Sequence, residues 1–216
     1  MAYWKYIAAL ALFVNGVSAA AGTLDFEEFV PSPTGNPCCA TLNTQGYRIT
    51  DDGAGHLTIV DDTRDANTNS GSNQLLAEFN FFTMTLPDPE NPGFFLPFDL
   101  HSFRGGEGRN IDSGFFQYSA TSIQVEGTLA AGGTVSRTFT LDLIADNTED
   151  DFELFIFSAG FTGLSSVTFS GLGGQAGNRF GVDDLVVTQT VPIPAAAWLF
   201  GSGLGLLGWM RRRVQS

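Results

Sequence analysis

Carboxylates are the most abundant groups in this sequence that could do chemistry. The chain has 23 Asp and Glu, and three acidic runs occupy apparent loops at residues 51–52, 61–65 and 146–151. Carboxylates bind calcium, and a facing pair can hydrolyse a glycosidic bond. Residues 65–69 alternate oxygen donors as an EF-hand does, but Ser70 and Leu76 replace the Gly and Glu that the motif needs. We predict acidic loops that favour solubility, with loose calcium binding as the alternative.

Side chains that usually act as nucleophiles or bases form no recognisable motif. The chain has two histidines, His56 and His101, and neither a Gly-x-Ser-x-Gly nor a His-Glu-x-x-His sequence. A His-rich zinc site is therefore not expected. The sequence predicts a non-enzymatic protein, and a hydrolase with paired carboxylates remains the open alternative.

The two cysteines, Cys38 and Cys39, are adjacent and follow Pro37. In an oxidising compartment they can bridge only to each other or to another chain, because there is no third cysteine. A vicinal disulfide between Cys38 and Cys39 is one interpretation. A pair of small residues in a turn is the other.

The charges are unevenly distributed along the chain. All the acids lie between Asp25 and Asp184, whereas Lys5 and the three arginines at 211–213 lie outside that span. The middle therefore carries 23 acids against 6 arginines, a net charge of −17. Such a field repels phosphate, so the protein is not expected to bind nucleic acid.

The N-terminus has the order of a secretory signal peptide. Lys5 precedes the apolar run 7–14, and small residues follow at 17–21. We predict a signal helix over residues 1–21, with cleavage near residues 19–22.

The C-terminus has the composition of a membrane span. Residues 193–210 carry no charge, Trp198 and Trp209 stand near the two ends, and basic residues follow. Eighteen residues suffice for a helical span. The basic tail would stay in the cytoplasm, with the acidic middle across the membrane.

The last residues resemble the sorting signal of PEP-CTERM exported bacterial proteins. In that class a short proline motif, typically Val-Pro-Glu-Pro, precedes an apolar span and a basic tail. Val191, Pro192 and Pro194 match the motif, Ile193 takes the place of Glu, and Arg211, Arg212 and Arg213 form the tail. The resemblance implies recognition by an exosortase, a Gram-negative exopolysaccharide-making bacterium, and delivery to the envelope or extracellular matrix. Residues 191–216 would form this signal.

Residues 22–190 have the two-residue period of half-buried strands rather than a helical period. The fold class predicted is all-β, an antiparallel β-sandwich of jelly-roll type between the signal helix and the C-terminal transmembrane helix. Arg137 falls on the apolar face of its strand, which favours a place at a sheet edge over burial with a carboxylate. Ten strands are predicted, over residues 23–29, 46–50, 56–60, 81–86, 94–103, 122–126, 134–143, 151–157, 166–170 and 180–189. The proline-rich stretch 86–93 is predicted to be a loop.

Three short segments also resemble β-sandwich carbohydrate-binding modules: residues 24–27, 98–103 and 180–185. In such modules acids of the first and last strands hold a structural calcium. The resemblance implies Glu27 and one of Asp183 or Asp184 as calcium ligands, and hard oxygen donors suit that ion. Solvated surface acids are the alternative.

Three hypotheses follow from the sequence. The first is an exported, non-enzymatic envelope or matrix protein that binds polysaccharide. The second is a secreted carbohydrate-active hydrolase, and the third is an adhesive, self-associating surface protein. Exposed aromatic residues in a row would favour the first, paired carboxyls in a cleft the second, and an exposed apolar edge strand the third.

Overall fold

The structure is a computed structural model, in which the chain divides into two units, residues 18–190 and residues 1–17 with 191–216. It describes residues 21–31, 39–51, 57–60, 72–77, 81–108, 118–144, 151–158, 160–174 and 178–190, together with Ser202 of the other unit. The account below concerns the unit that contains residues 21–190.

Alternating apolar and polar residues produce strands because successive side chains point to opposite faces. The described residues form twelve: β1 Ala21–Leu24, β2 Thr41–Thr44, β3 Tyr47–Thr50, β4 Leu57–Val60, β5 Gln74–Ala77, β6 Phe81–Thr85, β7 Phe98–Glu107, β8 Ser122–Leu129, β9 Thr134–Thr140, β10 Phe152–Ile156, β11 Leu164–Leu172 and β12 Phe180–Gln189. All strand pairs are antiparallel.

The strands pair in two layers. Layer A has the order β2-β3-β6-β11-β8-β9, and layer B has β10-β7-β12-β5-β4, with β1 also paired to β12. A single pair of residues, Leu164 and Phe98, links β11 to β7. A second link is the isolated bridge between Cys39, which precedes β2, and Leu57 of β4. From β8 onward the chain runs A, A, B, A, B, the interleaving of a jelly roll.

Phenylalanine rings fill the space between the layers. Phe103 of layer B packs edge-on against Phe169 of layer A at 5.2 Å between centroids, and Phe82 of layer A stacks on Phe180 of layer B at 5.8 Å. Phe139 and Phe155 make a further contact across the layers at 4.8 Å. These contacts confirm the predicted β-sandwich.

Several sequence predictions about individual strands were wrong. The first strand ends at Leu24 rather than residue 29, because Phe26 adopts a φ of 59° and a turn follows. Strand β7 begins at Phe98, so residues 94–97 belong to the preceding loop. The strand predicted over residues 134–143 ends at Thr140, and Leu143 is exposed with a φ of 64°. The loop predicted over residues 86–93 is confirmed.

Arg137 lies at a sheet edge, as the sequence favoured. Strand β9 pairs only with β8 among the described strands, and Arg137 is exposed. Its Nη1 donates a hydrogen bond to the Ile156 carbonyl oxygen at 3.0 Å, and its guanidinium lies 4.8 Å from the Phe139 ring centroid.

Several predictions fall outside the described residues. They are the signal helix over residues 1–20, the sorting residues Val191, Pro192, Pro194, Arg211, Arg212 and Arg213, the transmembrane helix over 193–210, Cys38, and most of the acidic loops. Strand β1 starts at Ala21, at the predicted end of the signal peptide. No helix within the described ranges has the length and apolarity to cross a membrane.

Candidate functional site

The outer face of layer A is lined by hydroxyl side chains in register. One row crosses all six strands through Thr41, Thr50, Thr83, Thr168, Glu126 and Ser136. The next row is Asn43, Arg48, Thr85, Ser166, Thr128 and Thr134. Farther along the strands follow Phe81, Ser170, Gln124 and Thr138, then Leu172, Ser122 and Thr140. We name these side chains the hydroxyl face.

The dimensions of the hydroxyl face follow from sheet geometry. Strands lie about 4.8 Å apart, so a row across six strands is about 24 Å wide, and rows on one face repeat at about 6.7 Å. The Thr83 and Thr168 hydroxyls share a hydrogen bond of 2.9 Å in the middle of the face, and Gln124 donates to the Ser136 hydroxyl at 3.4 Å. The result is a broad, regularly spaced array of donors and acceptors.

The hydroxyl face is electrically neutral, although the middle of the chain is strongly acidic. Arg48 and Glu126 are its charged members, one of each sign. Each Thr or Ser can donate and accept a hydrogen bond, and each Thr also offers a methyl group. Such a face suits a neutral, hydroxyl-rich ligand.

The period-two pattern predicted part of this face but not the whole. Residues 134–140 show polar side chains at every second position, as the sequence indicates. The pattern could not show that β11 lies between β6 and β8, an order that brings Thr83, Thr168 and Glu126 side by side. Pairing between distant strands leaves no local signal in a sequence.

The predicted calcium ligands lie on either side of a short connecting segment. The Asn73 backbone nitrogen donates to Glu27 Oε1 at 2.7 Å, and the Ser72 hydroxyl donates to Asp183 Oδ2 at 2.6 Å. Asp183 is fully buried, and its Oδ1 accepts from the Asp184 amide at 2.8 Å. Residues 72–73 thus connect the first strand's turn to the last strand.

The chemistry of these donors suits calcium in part. Asn73 Nδ2 donates to the carbonyl oxygens of Phe26 at 3.5 Å and Phe29 at 3.1 Å, so these oxygens, like Glu27 Oε1, accept hydrogen bonds from Asn73. Carboxylate and carbonyl oxygens are the donors that calcium prefers. The described ranges contain no group of three or more Asp, Glu, His or Cys side chains placed to bind a metal ion. A calcium ion here would therefore use backbone carbonyls besides Glu27.

Sequence reasoning missed a pair of glutamates on neighbouring strands. Glu107 at the end of β7 accepts from the Leu143 amide at 2.8 Å, and Glu153 on β10 accepts from the Asp142 amide at 2.7 Å. Burial, together with the nearby carboxylates, raises the pKa of each to about 7. No described residue offers a hydrogen bond to the second oxygen, Oε2, of Glu153.

Raised pKa values and paired carboxyls are also features of a glycosidase site. Here, however, Glu107 has no exposed surface. Its carboxyl group and that of Glu153 both bind the backbone of residues 142–143, so the pair fastens this segment to the sheet. The arrangement is explained by holding the chain rather than by contact with a substrate.

The remaining chemically active residues are single groups. The exposed His101 ring shares a hydrogen bond of 2.8 Å with the Thr188 hydroxyl on the neighbouring strand. Cys39 is disulfide-bonded and packs partly buried against the core.

The chain was compared with known proteins. No family model matches it, and no curated protein does. An F5/8 type C domain from Bacteroides fragilis is similar at 11% identity and a TM-score of 0.40, covering 70% of this chain and 97% of that one. The K2 cleaved adhesin domain of Lys-gingipain has 15% identity and a TM-score of 0.44, covering 80% and 100%. A family 29 carbohydrate-binding module from Piromyces equi has 9% identity and a TM-score of 0.39, covering 79% and 91%. The fold assignment comes from this chain's own strand pairing and core.

Proposed function

We propose that this protein is an exported, non-enzymatic module that binds neutral polysaccharide on the hydroxyl face. The observation that carries the proposal is the neutral, six-stranded array of Thr and Ser in an otherwise acidic domain. Sugar hydroxyls can exchange hydrogen bonds with these side chains, and threonine methyls can contact the apolar faces of sugar rings. A broad, open face fits an extended chain or an ordered polysaccharide surface better than a single sugar.

Export and sorting complete the proposal. The signal peptide over residues 1–21 would direct secretion, and the signal over residues 191–216 would bring the protein to an exosortase. The C-terminal helix would hold it in the membrane until processing. The exopolysaccharide of the same Gram-negative envelope or matrix would then be the ligand.

Structural calcium at Glu27, with Asp183 or Asp184, is a separate proposal. Its support is that residues 72–73 connect the carboxylates of Glu27 and Asp183, which are hard oxygen donors. The polysaccharide proposal does not depend on it, because the hydroxyl face lies on the other layer.

The test is co-sedimentation of the full chain with insoluble polysaccharides. Cellulose, chitin and agarose serve as neutral probes, and calcium-free alginate serves as an anionic one. We expect retention on at least one neutral probe and none on alginate, because the domain's negative charge repels a polyanion.

Thr168→Arg places a long charged side chain in the centre of the face. We expect it to weaken binding about tenfold, the equivalent of about 1.4 kcal/mol. Thr23→Arg is the matched control, since Thr23 is an exposed strand residue on layer B. Failure to bind any neutral probe, or equal binding by both variants, contradicts the proposal.

Self-association is a second candidate, favoured by strand β10. This strand pairs only with β7 among the described strands, and Leu154 and Ile156 on it are 61% and 62% exposed. Two backbone carbonyls of β10, those of Phe152 and Ile156, accept hydrogen bonds from arginine side chains. These bonds leave fewer acceptors on β10 for pairing with a second copy. Light scattering of the full chain and of Ile156→Lys tests it: a mass that falls with the variant supports association through this edge, and a monomeric parent refutes it.

A further inference from the structure

One loop displays two neighbouring aromatic side chains to solvent. Phe94 is 70% exposed and Phe95 is 46% exposed, and they are the exposed phenylalanines of the described ranges. The loop that carries them, residues 86–97, joins β6 of layer A to β7 of layer B. We name it the Phe94 loop.

The Phe94 loop is held in one conformation by its own hydrogen bonds. The Leu96 amide donates to the Leu86 carbonyl at 2.7 Å, and the Asp88 amide donates to the Phe94 carbonyl at 2.9 Å. The Asp88 carboxylate accepts from the Glu90 amide at 2.8 Å and from the Asn91 side chain at 2.8 Å. Because the backbone is already ordered, docking of the two rings would cost little conformational entropy.

The loop ends where the chain leaves the sandwich. Both the backbone nitrogen and the hydroxyl of Thr190 donate to the Pro97 carbonyl, at 3.1 and 2.6 Å. Two residues, Val191 and Pro192, separate Thr190 from the apolar segment predicted to begin at Ile193. Three residue steps span at most about 11 Å. A bilayer entered by that segment would therefore have its surface close to Thr190.

The Phe94 backbone lies within about 11 Å of Pro97, because three residue steps separate them. Pro97 is the residue that accepts the hydrogen bonds from Thr190. Exposed phenylalanine rings on a membrane-bound surface can bury their apolar faces at the boundary between headgroups and acyl chains. The position of the loop and the chemistry of its exposed residues thus point to the same partner.

The distribution of charge is compatible with that partner. The acids Glu107, Asp151, Glu153 and Asp183 lie toward the opposite ends of their strands, away from the Phe94 loop. The loop itself carries two acids, Asp88, whose carboxylate accepts hydrogen bonds from its own turn, and the exposed Glu90. A zwitterionic lipid surface has no net charge, so it does not repel these two acids as an anionic surface would.

We propose that Phe94 and Phe95 dock into the interface of a zwitterionic lipid bilayer, beside the C-terminal anchor. The inference depends on the anchoring that is part of the proposed function.

The experiment uses the full chain in phosphatidylcholine liposomes, with and without lipids brominated on their acyl chains, which quench tryptophan. The parent and its variants carry Trp4→Phe, which removes the tryptophan of the predicted signal peptide, so that native Trp198 and Trp209 in the predicted span report anchoring. Phe94→Trp adds a reporter on the loop. Phe81→Trp is the matched control, because Phe81 lies on the hydroxyl face at the other end of β6. Subtracting the parent fluorescence isolates each added reporter.

We expect brominated lipid to reduce the parent fluorescence and to reduce the increment from Phe94→Trp about twofold, since interfacial rings sit near the acyl boundary. The increment from Phe81→Trp should be unchanged. If brominated lipid quenches the parent but not the fluorescence added by Phe94→Trp, loop docking is wrong and the anchor stands. An unquenched parent overturns the anchoring on which both depend. Polysaccharide co-sedimentation is a separate readout, so its failure is distinguishable from either result.

Discussion

Replacing Glu107 by glutamine should change how the stability of the sandwich depends on pH. The pKa of Glu107 is raised from 4.5 to about 7, chiefly because its carboxyl group is buried. Between these values the unfolded chain has released the proton and the folded chain still holds it. The contribution of this group to the free energy of unfolding therefore falls as pH rises from about 4.5 to 7. The loss is complete above the pKa of the group in the folded state.

The magnitude follows from the shift. A pKa unit is worth about 1.4 kcal/mol. Between pH 5 and pH 8, the stabilisation that comes from tighter proton binding in the folded state falls by the equivalent of about two pKa units. The parent should therefore lose about 2–3 kcal/mol over this range through Glu107. Glu153 has the same sign of effect, but it is partly exposed and we assign it no figure.

Glu107→Gln keeps an oxygen for the Leu143 amide and cannot ionise. The advantage of the variant over the parent in the free energy of unfolding should be about 2–3 kcal/mol larger at pH 8 than at pH 5. In a domain of this size that difference is equivalent to about 5–10 °C in Tm. Urea unfolding followed by far-ultraviolet circular dichroism at the two pH values measures it.

Glu126→Gln is the control, because it removes the same charge from an exposed position on the hydroxyl face. It should leave the difference between pH 5 and pH 8 as in the parent. If the advantage of Glu107→Gln over the parent is no larger at pH 8 than at pH 5, the reasoning about this buried carboxyl is wrong.

Three further predictions concern the loop, the core and the metal. Asp88→Ala removes the acceptor for two loop amides, so hydrogen exchange at residues 90–91 should accelerate while the Tm changes little; unchanged exchange would contradict the ordering role of that carboxylate. Phe169→Ala should lower the free energy of unfolding by about 3–5 kcal/mol, because this ring is fully buried between the layers. The exposed Phe94→Ala should stay within about 0.5 kcal/mol, and equal effects in urea titrations would refute the assigned core. EDTA should lower the Tm of calcium-loaded protein and should not affect Glu27→Gln, whereas a parent indifferent to EDTA would exclude calcium at this position.

Local patterns in the sequence predicted most of the sandwich. The last strand was predicted over residues 180–189, and β12 occupies that range, because ten residues of alternating and β-branched character leave little ambiguity. Strands β2 and β5 were missed. Each has four residues and includes Asn, Gln or Ala, which are weak strand formers, so tertiary pairing decides their conformation.

The sites were less predictable than the strands. The Glu107 and Glu153 pair depends on the register of β10 against β7, which no local pattern encodes. Residues 86–93 of the Phe94 loop were predicted as a loop from their prolines, whereas Phe94 itself was predicted in a strand. The position of the loop beside Thr190 comes from strand pairing at the far end of the chain. The hydroxyl face likewise required the order of six strands. Pairing between strands that are distant in the sequence cannot be predicted from the local patterns of a single sequence.

Carbene footprinting of the full chain, with and without a neutral polysaccharide that retains it, tests the central claim most directly. The account predicts reduced labelling of Thr83, Thr168 and their neighbours on β6, β11 and β8, with labelling of Phe94 unchanged. Protection confined to the Phe94 loop or to layer B, with the hydroxyl face labelled equally in both samples, would contradict it.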